Sequence, residues 1–292
     1  HNAKLNVGDN QIDLTGEWNK TFNLTLNGKL SRIEQLYKPL SGQINFSLNS
    51  QGSLDIESNG FDQAGSNLTL KAEQLKYQKS AIQSNEVFSL NSFKLDATVP
   101  LHKPEWTNVN LIAKDLTQDS NTQQNKNLCS RLELNRQKIQ KGLESKFKIT
   151  HPEISINAQT FESSPSFKQQ KIVLNRLDIT QPLTGNWHLK KPSTVDWKAP
   201  YQFNAPETCL NSDQKKQAQF CFEAQNNQAK WSLQSLPFFN WIQPWLSESV
   251  NLQGSLNGEG SANWKHDLNL QQTLTLPQID ITITEQGYKI PI

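Results

Sequence analysis

The stretch TFNLTLNGKL, residues 21–30, sets Phe22, Leu24 and Leu26 at every second position, with Asn, Thr and Lys elsewhere. Side chains alternate across a β-strand, so this spacing collects the apolar groups on one face and the polar groups on the other. The same beat recurs along the chain. GQINFSLNS carries Ile44, Phe46 and Leu48; GSLDIES carries Leu54 and Ile56; SNLTLKAE carries Leu68 and Leu70. Phe93 and Leu95, Val109 and Leu111, Ile154 and Ile156, Ile172 and Leu174, and Leu177 and Ile179 continue it. Val250 with Leu252, and Ile279, Ile281 and Ile283, close the series. Period-two alternation over this length reads as a mainly β chain whose sheet has one wet side.

Roughly 18 to 22 such runs can be counted. At about 4.8 Å between neighbours, 18 strands would extend about 85 Å, and open sheets of that size curl or fold over. Two segments break the beat. Residues 31–40 (SRIEQLYKPL) space Ile33, Leu36, Tyr37 and Leu40 as a short helix would, behind Ser31 as a cap. Residues 235–246 (SLPFFNWIQPWL) do the same within 231–264, a segment that holds four of the eight tryptophans. Each is followed by alternating strands with glycine between them, which suggests two copies of one unit, at residues 10–60 and 205–265. Residues 113–129 read as a long exposed loop, and residues 131–149 as two strands around Gly142. The prolines from 182 to 206 suit edge strands or an irregular crossing. Nothing here calls for a second domain, and residues 1–292 read as one elongated unit.

Composition narrows the functions. Apolar residues make up 35% and charged residues 19% of the 292, and 29 basic side chains face 27 acidic ones. This near-neutral balance gives no general attraction to nucleic acid. No apolar run reaches the length that spans a bilayer as a helix. The chain starts at His1 and has no Met, which reads as a fragment of a longer protein. The five histidines are scattered, and no nucleophile elbow, phosphate-binding glycine loop or metal motif occurs, so the expectation is no enzyme, no cofactor and no metal. Cys209 and Cys221 flank a polar loop that a strand follows, and a hairpin base there suits a disulfide; the alternative is three separate buried thiols, Cys129 included. The apolar face itself has two readings. It is a sandwich core, with two sheets covering each other, or the lining of an open groove.

The segment 231–264 carries a family resemblance. A tryptophan-led strand, LPFFNWIQPWL and then VNLQGSLNGEGSANW, preceded by the cysteine pair and KWSLQSLP, is similar to the recurrent unit of the TamB family among AsmA-like proteins. The match covers about residues 205–265, with a weaker copy at 10–60. The resemblance implies a long β-sheet folded into an open, taco-like trough with an apolar lining and one or two short helices. It implies a periplasmic protein of a Gram-negative bacterium, anchored in the inner membrane and working with the outer-membrane protein TamA. It further implies that the apolar positions given above line a groove for phospholipid acyl chains moving between inner and outer membrane. The family's alternative role is assembly of outer-membrane proteins such as autotransporters.

Overall fold

A computed structural model describes residues 2–55, 60–81, 84–120, 123–163, 165–166, 168–182, 184–198, 202–213, 218–237, 250–264, 268–283 and 288–291. The chain divides into two compact units, His1–Pro152 and Glu153–Ile292. Both are antiparallel β.

Among its described residues the first unit has nine strands in chain order: β1 (Asn2–Val7), β2 (Asn10–Trp18), β3 (Thr21–Leu30), β4 (Leu40–Asp55), β5 (Gly60–Ala81), β6 (Ser84–Pro100), β7 (Asn108–Ser120), β8 (Gln123–Ile139) and β9 (Gly142–His151). Each pairs antiparallel with the next. Where a helix is expected over residues 31–40, only one 3-10 turn forms, at Ile33–Gln35, and Leu40 already opens β4. Its start has no side-chain cap, and Pro39 follows within one turn, so too few residues remain to repay helix nucleation. Instead Asn10 ties the segment to β2: its side chain accepts from Arg32 N at 3.0 Å and donates to Arg32 O at 2.9 Å.

Residues 113–129, expected as a loop, are strand up to Ser120 and again from Gln123. The misreading has a physical cause. The alternation slips by one residue at the same place in four neighbouring strands. Leu75 pairs with Leu90, Leu90 with Leu116, and Leu116 with Cys129, while Ala72, Phe93, Ala113 and Leu132 form the next apolar row. Between the rows lie Gln74, Asn91, Asp115 and Ser130. Gln74 (φ 51°) and Asp115 (φ 54°) adopt the left-handed conformation, and Asn91 Nδ2 donates to Asp115 Oδ2 at 3.1 Å. Gly42 (φ 119°) continues this line into β4. An added Cβ there would meet the Gln74 carbonyl oxygen at 2.7 Å, so only glycine fits. Such an irregularity re-phases a strand, and here the phase changes in step across the sheet.

The second unit runs β10 (Ile154–Glu162), β11 (Gln169–Gln181), β12 (Gly185–Leu189), β13 (Ser193–Lys198), β14 (Gln202–Ser212), β15 (Gln219–Gln225), β16 (Gln228–Leu236), β17 (Val250–Asn263), β18 (Asn269–Ile283) and β19 (Tyr288–Pro291). The proline-rich region resolves simply. β12 and β13 lie end to end between β11 and β14, each pairing with both, and Pro192 sits at the break between them. A bulge in β11 opposite Gln159 and Thr160 absorbs one residue, so Ile172 and Leu174 stay in phase with Leu177 and Ile179. Of the second expected helix, Ser235 and Leu236 end β16, and residues 238–249 lie outside the described residues.

At the start of β12, Asn186 donates from N to Asp213 Oδ1 (3.2 Å) and from Nδ2 to Oδ2 (2.8 Å), while Asp213 N donates back to Asn186 O (3.0 Å). The Asn186 side chain is the chief cause that holds the Asp213 carboxyl below the ordinary aspartate value. A lowered carboxyl pKa adds stability above the unfolded-state value, which is lost as pH falls through the folded one. We expect the Asn186 side-chain NH2 resonances to shift only below about pH 4, followed by NMR titration, and to be pH-independent in Asp213→Asn.

Candidate functional site

In the first unit the register lines up the alternating residues across strands. One row runs Leu14, Leu26, Leu48, Leu68, Ala97, Val109. The next runs Ile12, Gly28, Phe46, Leu70, Leu95, Leu111, Leu134, Phe147, and a third runs Leu30, Ile44, Ala72, Phe93, Ala113, Leu132, Ile149. Leu24 lies opposite Gly16 and Ser50, one row further out. Most of these large side chains are half-buried, and Leu14 is 42% exposed; Phe22 (5%), Ala72 (2%) and Leu143 (0%) are among the few that are buried. Leu54 pairs with Phe61 along the backbone, and Ile56 lies outside the described residues.

In the second unit Ile156 stands opposite Ile179, which stands opposite Trp187. Ile172 pairs with Val195, and Leu174 with Ser193. Trp187, Ala218 and Leu236 form one small core with Leu210, Phe220, Leu233 and Leu256 against it. Ala205, Ala224 and Ala229 form another with Phe203 and Phe222. Ile154, Val250, Ile279 and Ile281 are half-buried; Leu252 pairs with Ile281 and Val250 with Ile283. Leu177 pairs with Ala158. Leu14 and Leu30 join the same rows, and their own alternation with polar neighbours is the signal that finds them.

The glycines of VNLQGSLNGEGSANW gain a structural reason here. Gly260 stands opposite Trp231 and Gly258 opposite Leu233. A Cβ on Gly260 would collide with the Trp231 indole, and one on Gly28 with the Phe46 ring. The aromatic ring lies over the glycine and fills the space of its missing side chain. Gly65 is different, since a Cβ there would meet only Val99 O at 3.7 Å. We therefore expect Gly28→Ala and Gly260→Ala each to lose about 1–3 kcal/mol by overpacking. Gly65→Ala should be neutral or gain up to about 1 kcal/mol. Urea unfolding of the three variants checks the contrast.

Cys209 and Cys221 are directly opposite in β14 and β15 and form a disulfide. Cys129 is a buried free thiol. Glu207 lies close to the disulfide sulfurs, but both thiols are used in the bond and offer a metal no thiolate.

No helix among the described residues is long and apolar enough to cross a membrane. Comparison with known proteins adds one finding: the family model "TamB, N-terminal domain" matches residues 1–292. No curated protein and no solved structure matches. TamB proteins are not a known enzyme family; they act in the envelope of Gram-negative bacteria, on the periplasmic side, in association with TamA. The antiparallel sheets, the cross-strand disulfide and a match over the whole sequence lead to one conclusion, that this chain belongs to the TamB family.

Proposed function

We propose that the chain is a stretch of an open apolar trough that carries phospholipids between inner and outer membrane without catalysis. One observation supports this above the rest: the apolar rows of the first unit are in register across six to eight strands, yet most of their large side chains stay half-buried. A sandwich core of that size would cover them. Acyl chains laid on the rows would gain about 0.8 kcal/mol for each CH2 removed from water. Movement along a row replaces one leucine contact by the next, so the barriers are low and no cofactor is required. In this reading residues 1–292 act as one trough, in a protein anchored in the inner membrane and delivering toward TamA. Organic extraction of the purified chain, followed by mass spectrometry, tests the proposal. Photocrosslinkers at Ile154, Leu174 and Ile281 should label phospholipid; a chain that yields none, with all three sites unlabelled, rules the reading out.

A second reading, assembly of outer-membrane proteins with TamA, has its own support. β19 pairs only with residues 280–283 of β18, so among the described residues the remainder of β18 has no partner on the side away from β17. Leu270 (62%) and Leu274 (54%) are exposed on it. An extended client segment adds to such an edge by main-chain hydrogen bonds. A crosslinker at Leu274 that captures unfolded outer-membrane protein, with no lipid at Leu174, would favour this reading over the first.

A further inference from the structure

We infer that the first unit holds a binding site for a phosphoester anion at the turn joining β6 to β7. The sequence there is VPLHKPEWTN, residues 99–108. The turn is pinned at several points. Leu101 N donates to Ala64 O (2.9 Å), Lys103 N to Pro100 O (3.0 Å), and Trp106 N to Lys103 O (2.9 Å), around a 3-10 turn at Pro104–Trp106. The fold thereby forms a hollow of about 290 Å³ walled by Thr98, Pro100, His102, Lys103, Trp106, Asn108 and Lys138.

Three of those seven residues are basic and none is acidic; Glu105, the acid within the turn, is not part of the wall. Elsewhere on this unit cations are neutralised two residues along their own strand, as in Lys94 with Asp96 and Lys146 with Glu144. Among the described residues no such ion pair engages His102, Lys103 or Lys138. Lys138 is also held in place. Its Nζ lies 5.2 Å from the centre of the Trp106 ring, and its backbone N donates to Asn108 Oδ1 at 2.6 Å. With its oxygen so engaged, the Asn108 side chain on the wall has its NH2 group left to donate to an anion.

A small concave site with two lysines, a histidine and an amide donor matches the charge and the acceptor oxygens of a phosphoester. The volume sits at the bottom of the roughly 300–1,000 Å³ range of small-molecule sites, enough for a headgroup and too little for its acyl chains. If the anion is a lipid headgroup, the site deepens the lipid-carrying proposal and in that respect rests on it; a soluble phosphoester satisfies the same chemistry.

Calorimetric titration of the 292-residue chain with glycerol 3-phosphate at low salt tests the site. Saturable 1:1 binding is expected, at least tenfold weaker in Lys103→Gln/Lys138→Gln and unchanged in the charge-matched control Lys29→Gln/Lys71→Gln. Absence of saturable binding, or equal losses in both double variants, overturns the inference. Co-sedimentation with phosphatidylglycerol vesicles separates the sources. Vesicle binding lost along with glycerol 3-phosphate binding supports a headgroup site, whereas vesicle binding retained supports a soluble phosphoester. Co-purifying phospholipid, measured on the same samples, keeps the two proposals distinct. Normal lipid with no glycerol 3-phosphate binding sinks this site alone, and absent lipid with binding intact sinks only the lipid-carrying reading.

Discussion

Leu111→Arg should reduce co-purifying phospholipid at least tenfold while leaving the chain folded. Leu111 lies between Leu95 and Leu134, in the interior of the longest apolar row, and is half-buried. Removing a fully buried leucine from water is worth about 1.5–3 kcal/mol, so for a partly exposed one the loss costs about 1–2.5 kcal/mol. An arginine there can extend its stem along the row and put the guanidinium in water. For an acyl chain the same change is severe. A hydrated charge in mid-row must be desolvated or bypassed, and 1.4 kcal/mol of lost contact already lowers occupancy tenfold. Leu174→Arg makes the parallel test in the second unit. Lipid extraction and a urea melt on each variant decide the matter: folded and lipid-free supports the open face. Cooperative unfolding of both variants in the absence of denaturant would mean that the rows are a closed core.

Much of this face was readable from alternation alone, because a strand has only two sides and leucine every second residue commits it to one of them. Register was not readable. That Leu26, Leu48 and Leu68 share a row depends on turn lengths, and loops rich in Asn, Ser and Gly fit several registers equally well. The errors are equally local. Ala113-Lys-Asp-Leu116 breaks the beat, and a broken beat followed by Gln, Asp, Ser and Asn looks like a loop. Only the neighbouring strands show that Gln74, Asn91 and Asp115 break step together. The helix expected at residues 31–40 failed for a related reason: apolar spacing over ten residues cannot outweigh a proline and an uncapped start. The cluster around Lys138 and Trp106 left no mark in sequence, since 32 positions separate them (138 − 106) and only the β7–β8 register brings them together.

Breaking the Cys209–Cys221 bond should cost the second unit about 3 kcal/mol. The bond closes a loop of sequence separation 12, and the entropy that the unfolded chain regains when a loop of that size is opened is of this order. At about 2–4 °C per kcal/mol, the melting temperature of that unit should fall by about 6–12 °C in Cys209→Ser/Cys221→Ser or on reduction. The loss should be confined to one transition. β14 and β15 pair within Glu153–Ile292, and the first unit's strands make their pairings independently of them. Calorimetry of the oxidised and reduced chain should therefore show one transition moving and the other fixed. The double variant provides the control, because in it added reductant should change nothing except through Cys129, which is buried and already a free thiol. Should both transitions shift together, the two units would unfold as one, and the disulfide would hold the whole chain. An oxidising periplasm is where such a bond persists, so the same variant expressed in the envelope should be cleared faster than the parent, while in a reducing compartment the two should decay alike.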